Sequence, residues 1–262
     1  MFTDRERVIY GKNQLVEVIC QLRFPTILSI SAREPAAFQD RIRRDFPQYR
    51  RLLEQAPPKV SGGPGSLRVE EAEKIVNYQF LSADNLWRVN LTANFVALAT
   101  TAYVRWETFA ARLDKLLAEF IPVYEPAYFE RVGLRFINVV SRKALDLEGT
   151  PFRELIQPAF LGLLAEDDVR EESFARYGQD VEMQAAGGVR VKLHAGPGMV
   201  KKGNVQDPEV KFILDNDIFM VGKLPMNQCA PALQTIHLQA DRLFNAAVTD
   251  RLRDAMEPEP AE

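Results

Sequence analysis

Asp215 and Asp217, flanking Asn216, come closer than any other pattern in this chain to a metal site. Alternation along an extended strand sends both carboxylates to one side, as two ligands of a Mg²⁺ ion would need. No third carboxylate stands at a telling spacing, so the pair reads first as a turn or a charged strand. The two histidines, His194 and His237, have no serine or cysteine nucleophile at a recognisable motif. Members of a triad need not be close in sequence, so this alone does not exclude one. The stretch 196–204 is rich in glycine and carries Lys201 and Lys202. It lacks the G-x-x-x-x-G-K-[ST] spacing of a phosphate cradle and reads as a loop. Arg41, Arg43, Arg44, Arg50 and Arg51 gather about the first predicted helix. A solvated face is the default there, and a contact with a small anion or RNA is the alternative. No catalytic residue, metal ligand or cofactor is assigned.

The strands that must position any site are clearer. In residues 16–24, Val16, Val18, Cys20, Leu22 and Phe24 share one face, and Glu17, Gln21 and Arg23 take the other. Residues 129–140 form a second such strand. Leu22-Arg23-Phe24 returns there as Leu134-Arg135-Phe136, 112 residues later. Trp87-Arg88-Val89-Asn90-Leu91 has a similar echo in Val189-Arg190-Val191-Lys192-Leu193.

A helix follows Pro35, with Phe38, Ile42 and Phe46 at spacing four, and Pro47 should end it. Residues 56–66 are a loop by composition. Strands are predicted at about 67–81, 86–92 and 94–103. A helix opens at Trp106, with Phe109, Leu113, Leu116, Leu117 and Phe120 on one stripe and Pro122 past its end. The order then repeats. Pro151 suits the first position of a helix that Pro158 breaks early. Strands are predicted at 174–184, 188–196 and 209–221, with a hairpin at Gly187-Gly188. A last helix covers about 230–255, and 256–262 is a disordered acidic tail. The expectation is an α+β protein of two βαβββα halves, 1–122 and 123–255, in pseudo-two-fold duplication. Its sheets are antiparallel, with helices on one face. In pattern alone this resembles the pseudo-symmetric saddle of the TATA-binding protein.

Placing the apolar positions inward puts Arg23, Arg88, Arg135, Arg190, Lys192 and His194 on the outer face of the sheet. This is the candidate ligand surface, able to meet phosphates or an acidic partner. Glu17, Glu130, Asp180, Glu182, Asp215 and Asp217 are placed there too. The competing reading is a solvated face of cross-strand ion pairs.

The chain has 262 residues, 47% of them apolar, with net charge −3 and pI near 5.7. A protein held to nucleic acid mainly through phosphates is normally more basic. Two cysteines, Cys20 and Cys229, are too few for a disulfide framework and read as reduced and structural. The charged N-terminus has no signal core, and no run approaches a membrane span. The expected location is the cytoplasm.

Glu17-Val18-Ile19-Cys20-Gln21-Leu22-Arg23-Phe24, the stretch 129–138 and Val248-Thr249-Asp250 resemble an uncharacterised, sporadically distributed bacterial family. The family brings no catalytic residues to carry over. Its patchy distribution is typical of mobile genes, including defence and toxin–antitoxin loci. The resemblance therefore implies an interaction role. The expectation is a non-enzymatic module binding a partner protein, with RNA or DNA binding by the outer sheet face as the alternative.

Overall fold

The strand phases come first, because they decide which face is covered. A computed structural model describes residues 5–55, 59–61, 68–70, 74–202 and 205–260. The chain starts with β1 (Val8–Tyr10) and β2 (Leu15–Arg23), then two short helices, α1 (Leu28–Ala32) and α2 (Ala36–Ile42). Strands β3 (Gln48–Gln55), β4 (Lys59–Ser61), β5 (Arg68–Glu70), β6 (Lys74–Leu81), β7 (Trp87–Thr92) and β8 (Phe95–Thr100) follow, then α3 (Trp106–Tyr124). The second part contains β9 (Phe129–Val140), β10 (Gln179–Gln184), β11 (Arg190–Lys202), β12 (Val205–Leu224), α4 (Cys229–Ala247), α5 (Asp250–Ala255) and β13 (Pro258–Pro260).

Nine strands form one antiparallel sheet in the order β10-β11-β12-β9-β2-β8-β7-β6-β3. The central pair is β2 with β9, where Val18 faces Phe136, Cys20 faces Leu134 and Leu22 faces Val132. These six side chains are buried on one face, as the alternation predicts. The helices cover that face. Phe120 of α3 meets Phe24 with ring centroids 5.4 Å apart, and Phe109 meets Trp87 at 5.8 Å. α4 packs on β9 and β12, with Leu233, Ile236, Ala240 and Leu243 buried along its stripe. Burying such a side chain contributes about 1.5–3 kcal/mol, so this layer is where the fold gains its stability. No helix among the described residues is long and apolar enough to cross a membrane.

Several sequence expectations are corrected. Residues 48–55 form β3, an edge strand on the first arm, so Arg50 and Arg51 lie on a strand and only Arg41 is inside α2. The region after Pro151 is a chain of one-turn 3₁₀ stretches, not an α-helix. Pro158 and the positive φ of Gly162 interrupt every turn that could have propagated. The two parts therefore do not share one βαβββα order. Pro122 lies within the last turn of α3, not beyond it.

The glycine-rich stretch 196–202 is strand rather than loop. A Cβ on Gly198 would sit 2.7 Å from the Ile213 side chain, and one on Gly196 would sit 2.9 Å from Gly178 Cα. Glycine is needed at 196, where the close neighbour is backbone, whereas at 198 the tip of the Ile213 side chain could shift. Of the expected 56–66 loop, 59–61 is the short strand β4, and the rest lies outside the described residues. The last helix is broken at Val248, which is extended and bridges to Ile156. Thr249 then caps α5 by accepting from Leu252 N. The expected disordered tail instead buries Met256 and pairs β13 with β1; residues 261–262 lie outside the described residues.

Candidate functional site

Period-two alternation does set Arg23, Arg88, Arg135, Arg190, Lys192 and His194 on the face away from the helices. Asn90 shares that face with Arg88, since Trp87, Val89 and Leu91 are buried on the other. Among the described residues Glu130 is not paired there: it has the parity of Val132 and Leu134 on β9, yet it is exposed while its neighbour Phe129 is buried.

The structure gathers only three of the six together. Arg135, Lys192 and His194 line a shallow depression with Asp180, Glu182, Asp215 and Asp217. Each of the three meets a carboxylate. Arg135 Nε donates to Asp215 at 2.7 Å, Lys192 lies 3.2 Å from Glu182, and His194 Nδ1 is 2.8 Å from Asp180. Arg88 pairs with Glu17 at 2.8 Å, on the other arm of the sheet. Arg23 and Arg190 form no ion pair among the described residues. Asp215 and Asp217 are members of a charged strand, since Arg131 takes Asp217 as Arg135 takes Asp215. Among the described residues no group of three or more His, Cys, Asp or Glu side chains is gathered as a metal would require.

Arg131, which the sequence reading passed over, is the best-anchored cation on this face. Its guanidinium lies 4.3 Å above the Phe219 ring and also reaches Gln21. It crosses the space over Gly133, where a Cβ would come within 2.5 Å of it.

A second site lies on the helix side and was not foreseen. A cavity of about 90 Å³ opens between β1, the 103–105 segment, α4 and the sheet. Phe136, Asn138 and Asn216 form its floor, and His237, Ala240 and Phe244 one wall. Asn216 is an inward position on β12, opposite Phe136, and is 2% exposed. Its Oδ1 has no hydrogen-bond partner among the described residues. His237 is 8% exposed and stacks on Trp106, centroids 4.4 Å apart and planes at 15°. Burial, helped by the nearby Arg7 cation, lowers its pKa to about 4, so the imidazole is neutral at pH 7. Arg7 at the rim donates to both oxygens of Glu107, at 2.6 and 3.1 Å, and holds that carboxyl down to about 2. The sequence signal that could have found this place is Asn216 itself, an amide in an inward register position.

Both thiols are buried and free. Burial pushes Cys229 up to about 12 and Cys20 well above its ordinary value, so neither forms a thiolate nucleophile near neutral pH. No protein-family model matches the chain, and a search of curated proteins finds no significant match.

Proposed function

We propose that this chain is a non-enzymatic interaction module that binds a partner protein. The observation that carries the reading is the ribbon at the end of β11 and β12. β10 leaves β11 at Ala195, and β9 leaves β12 at Phe212. Among the described residues, the two strands pair beyond those points only with each other, through Met199↔Val210 and Lys202↔Val205. Val205 is 73% exposed and Met199 55%. A two-stranded ribbon is marginally stable alone, and its open edges and apolar side chains are what strand-adding partners use. Its base is fixed to the body by Glu209, which accepts from Ser141 Oγ at 2.7 Å and Lys143 N at 3.1 Å.

The test is a Met199→Asp, Val205→Asp double variant expressed beside the parent in the native host. The parent should crosslink to one discrete protein and the variant should lose it, with stability changed by less than about 1 kcal/mol. Retention of that partner by the folded variant overturns the reading. The alternative, nucleic-acid binding by the outer face, draws on Arg23 and Arg190, which are outside the ion-pair network. It predicts nuclease-sensitive binding that falls steeply with salt and is lost when Arg23, Arg88, Arg135 and Arg190 become Ala.

We also read the two arms of the sheet as copies of one unit. From the centre outward one arm runs β2, β8, β7, β6 and the other β9, β12, β11, β10. Gln21 faces Gly133. They stand 112 residues apart, the same offset that relates Leu22-Arg23-Phe24 to Leu134-Arg135-Phe136. A two-fold axis through that residue pair would relate the copies. Failure of the four-strand arms to superpose in register would refute it.

A further inference from the structure

We propose that the cavity beneath α4 holds an uncharged, planar heteroaromatic molecule of nucleobase size, gripped by ring contacts and by hydrogen bonds to Tyr103, His237 and Asn216. This site is separate from the β11–β12 ribbon and does not depend on the partner-protein reading.

Among the described residues, Asn216 Oδ1 and the Tyr10 hydroxyl line the cavity buried and without a hydrogen-bond partner, and the Tyr103 hydroxyl and the His237 ring line it beside them. A buried polar group left unpaired costs about 1–3 kcal/mol. Two on one cavity therefore mark a place where something else completes the bonds. Asn13, also in the lining, is already used: it donates to Tyr103 O at 3.2 Å and accepts from Leu15 N at 3.0 Å.

The lining also sets the class of ligand. Phe136 and Tyr103 meet edge to face at 6.0 Å, and Phe244 stands across the cavity, so a flat ring finds aromatic surfaces. The volume, about 90 Å³, takes several waters at roughly 10–15 Å³ each, or one small ring system. Charge is disfavoured from both sides. An anion would have to displace Glu107 from Arg7 and Arg105, whose Nε lies 3.1 Å from the same carboxylate. A cation would face those two arginines at the rim, and Asp241, the carboxylate that lines the cavity, already has an interaction partner. Neutral groups that both donate and accept, as on a nucleobase or a nicotinamide, match a neutral imidazole, a phenol and an amide.

The test uses the full chain with adenine, uracil and nicotinamide as neutral probes, and benzoate and benzamidine as charged controls. Binding is followed by calorimetry and by the NMR signals of the Trp106 indole and His237 imidazole. At least one neutral probe should bind with Kd below about 1 mM, and the charged controls at least about tenfold more weakly. Asn216→Leu should weaken the neutral probe about tenfold or more without lowering the melting temperature. If that variant does not fold, His237→Phe, which keeps a ring against Trp106, makes the same comparison. Met199→Asp with Val205→Asp should leave probe binding unchanged. Failure of all three neutral probes at 1 mM, equal binding of the charged controls, or unweakened binding by the folded cavity variant overturns the proposal.

Discussion

The indole of Trp106 lies flat on the imidazole of His237, one from the first turn of α3 and the other from the middle of α4. Trp106 Nε1 also donates to Gln234 Oε1 at 2.9 Å, one turn earlier on α4. These contacts join the helices of the two arms at the edge of the cavity, where burial and the nearby Arg7 keep His237 neutral.

That neutrality has a pH signature. The folded pKa, about 4, lies below the ordinary 6.5. Between those values the unfolded chain binds the proton that the folded chain refuses. Stability is therefore full above pH 6.5 and falls as pH drops toward 4, by up to about 3 kcal/mol. Urea melts from pH 7.5 to 5 should show the loss, and His237→Phe should show much less of it.

Leu134 is fully buried on the central strand, between Cys20 and Ile218. Leu134→Ala should cost about 2–5 kcal/mol. An unchanged denaturation midpoint would mean that the central strand does not bury this side.

Two arginines on one face of one strand should behave differently. Arg135 and its carboxylate form a pair in which the arginine is 47% exposed, so Arg135→Ala should cost under about 1 kcal/mol. Arg131 is 15% exposed and covers the Phe219 ring, so Arg131→Ala should cost about 1–3 kcal/mol. Equal costs in chemical denaturation would show that the Phe219 contact contributes nothing.

Thr249 does three things at the break between α4 and α5. Its Oγ1 accepts from Leu252 N, and it lies within 2.8 Å of Glu154 O and 3.1 Å of Leu155 O. Thr249→Ala should lower stability by about 1–2 kcal/mol, while Thr249→Ser should restore most of it.

Met256 is fully buried just before β13 pairs with β1. A chain ending at Ala255 should melt measurably lower than the parent, by the order of 2–3 kcal/mol for one lost apolar anchor. A chain ending at Pro260 should match the parent, which would place the effect on residues 256–260.

Period-two alternation was enough to read β2 from Val18 and β9 from Val132, their buried faces and the outward set from Arg23 to His194, because a strand's facing is a local property of spacing. Val16, expected on the buried face, is exposed where the register of β2 shifts against β9. The stripes of α3 and α4 were legible for the same reason. Elements whose state depends on a distant neighbour were not. Residues 48–55 become strand because β6 offers them an edge. Residues 196–202 become strand because β12 pairs with them and Gly196 lets β11 approach the Gly178 backbone. The last helix breaks at Val248 because Ile156 bridges to it, and the tail is ordered because β1 pairs with it. On the outer face the alternation placed the charges, but cross-strand register decided that Arg88, Arg135, Lys192 and His194 each meet a carboxylate. Of the cavity only Asn216, an amide at an inward position, was legible in the sequence: its floor, wall and rim come from Asn216, His237 and Arg7, which only the packing of α4 and β1 over the sheet brings together.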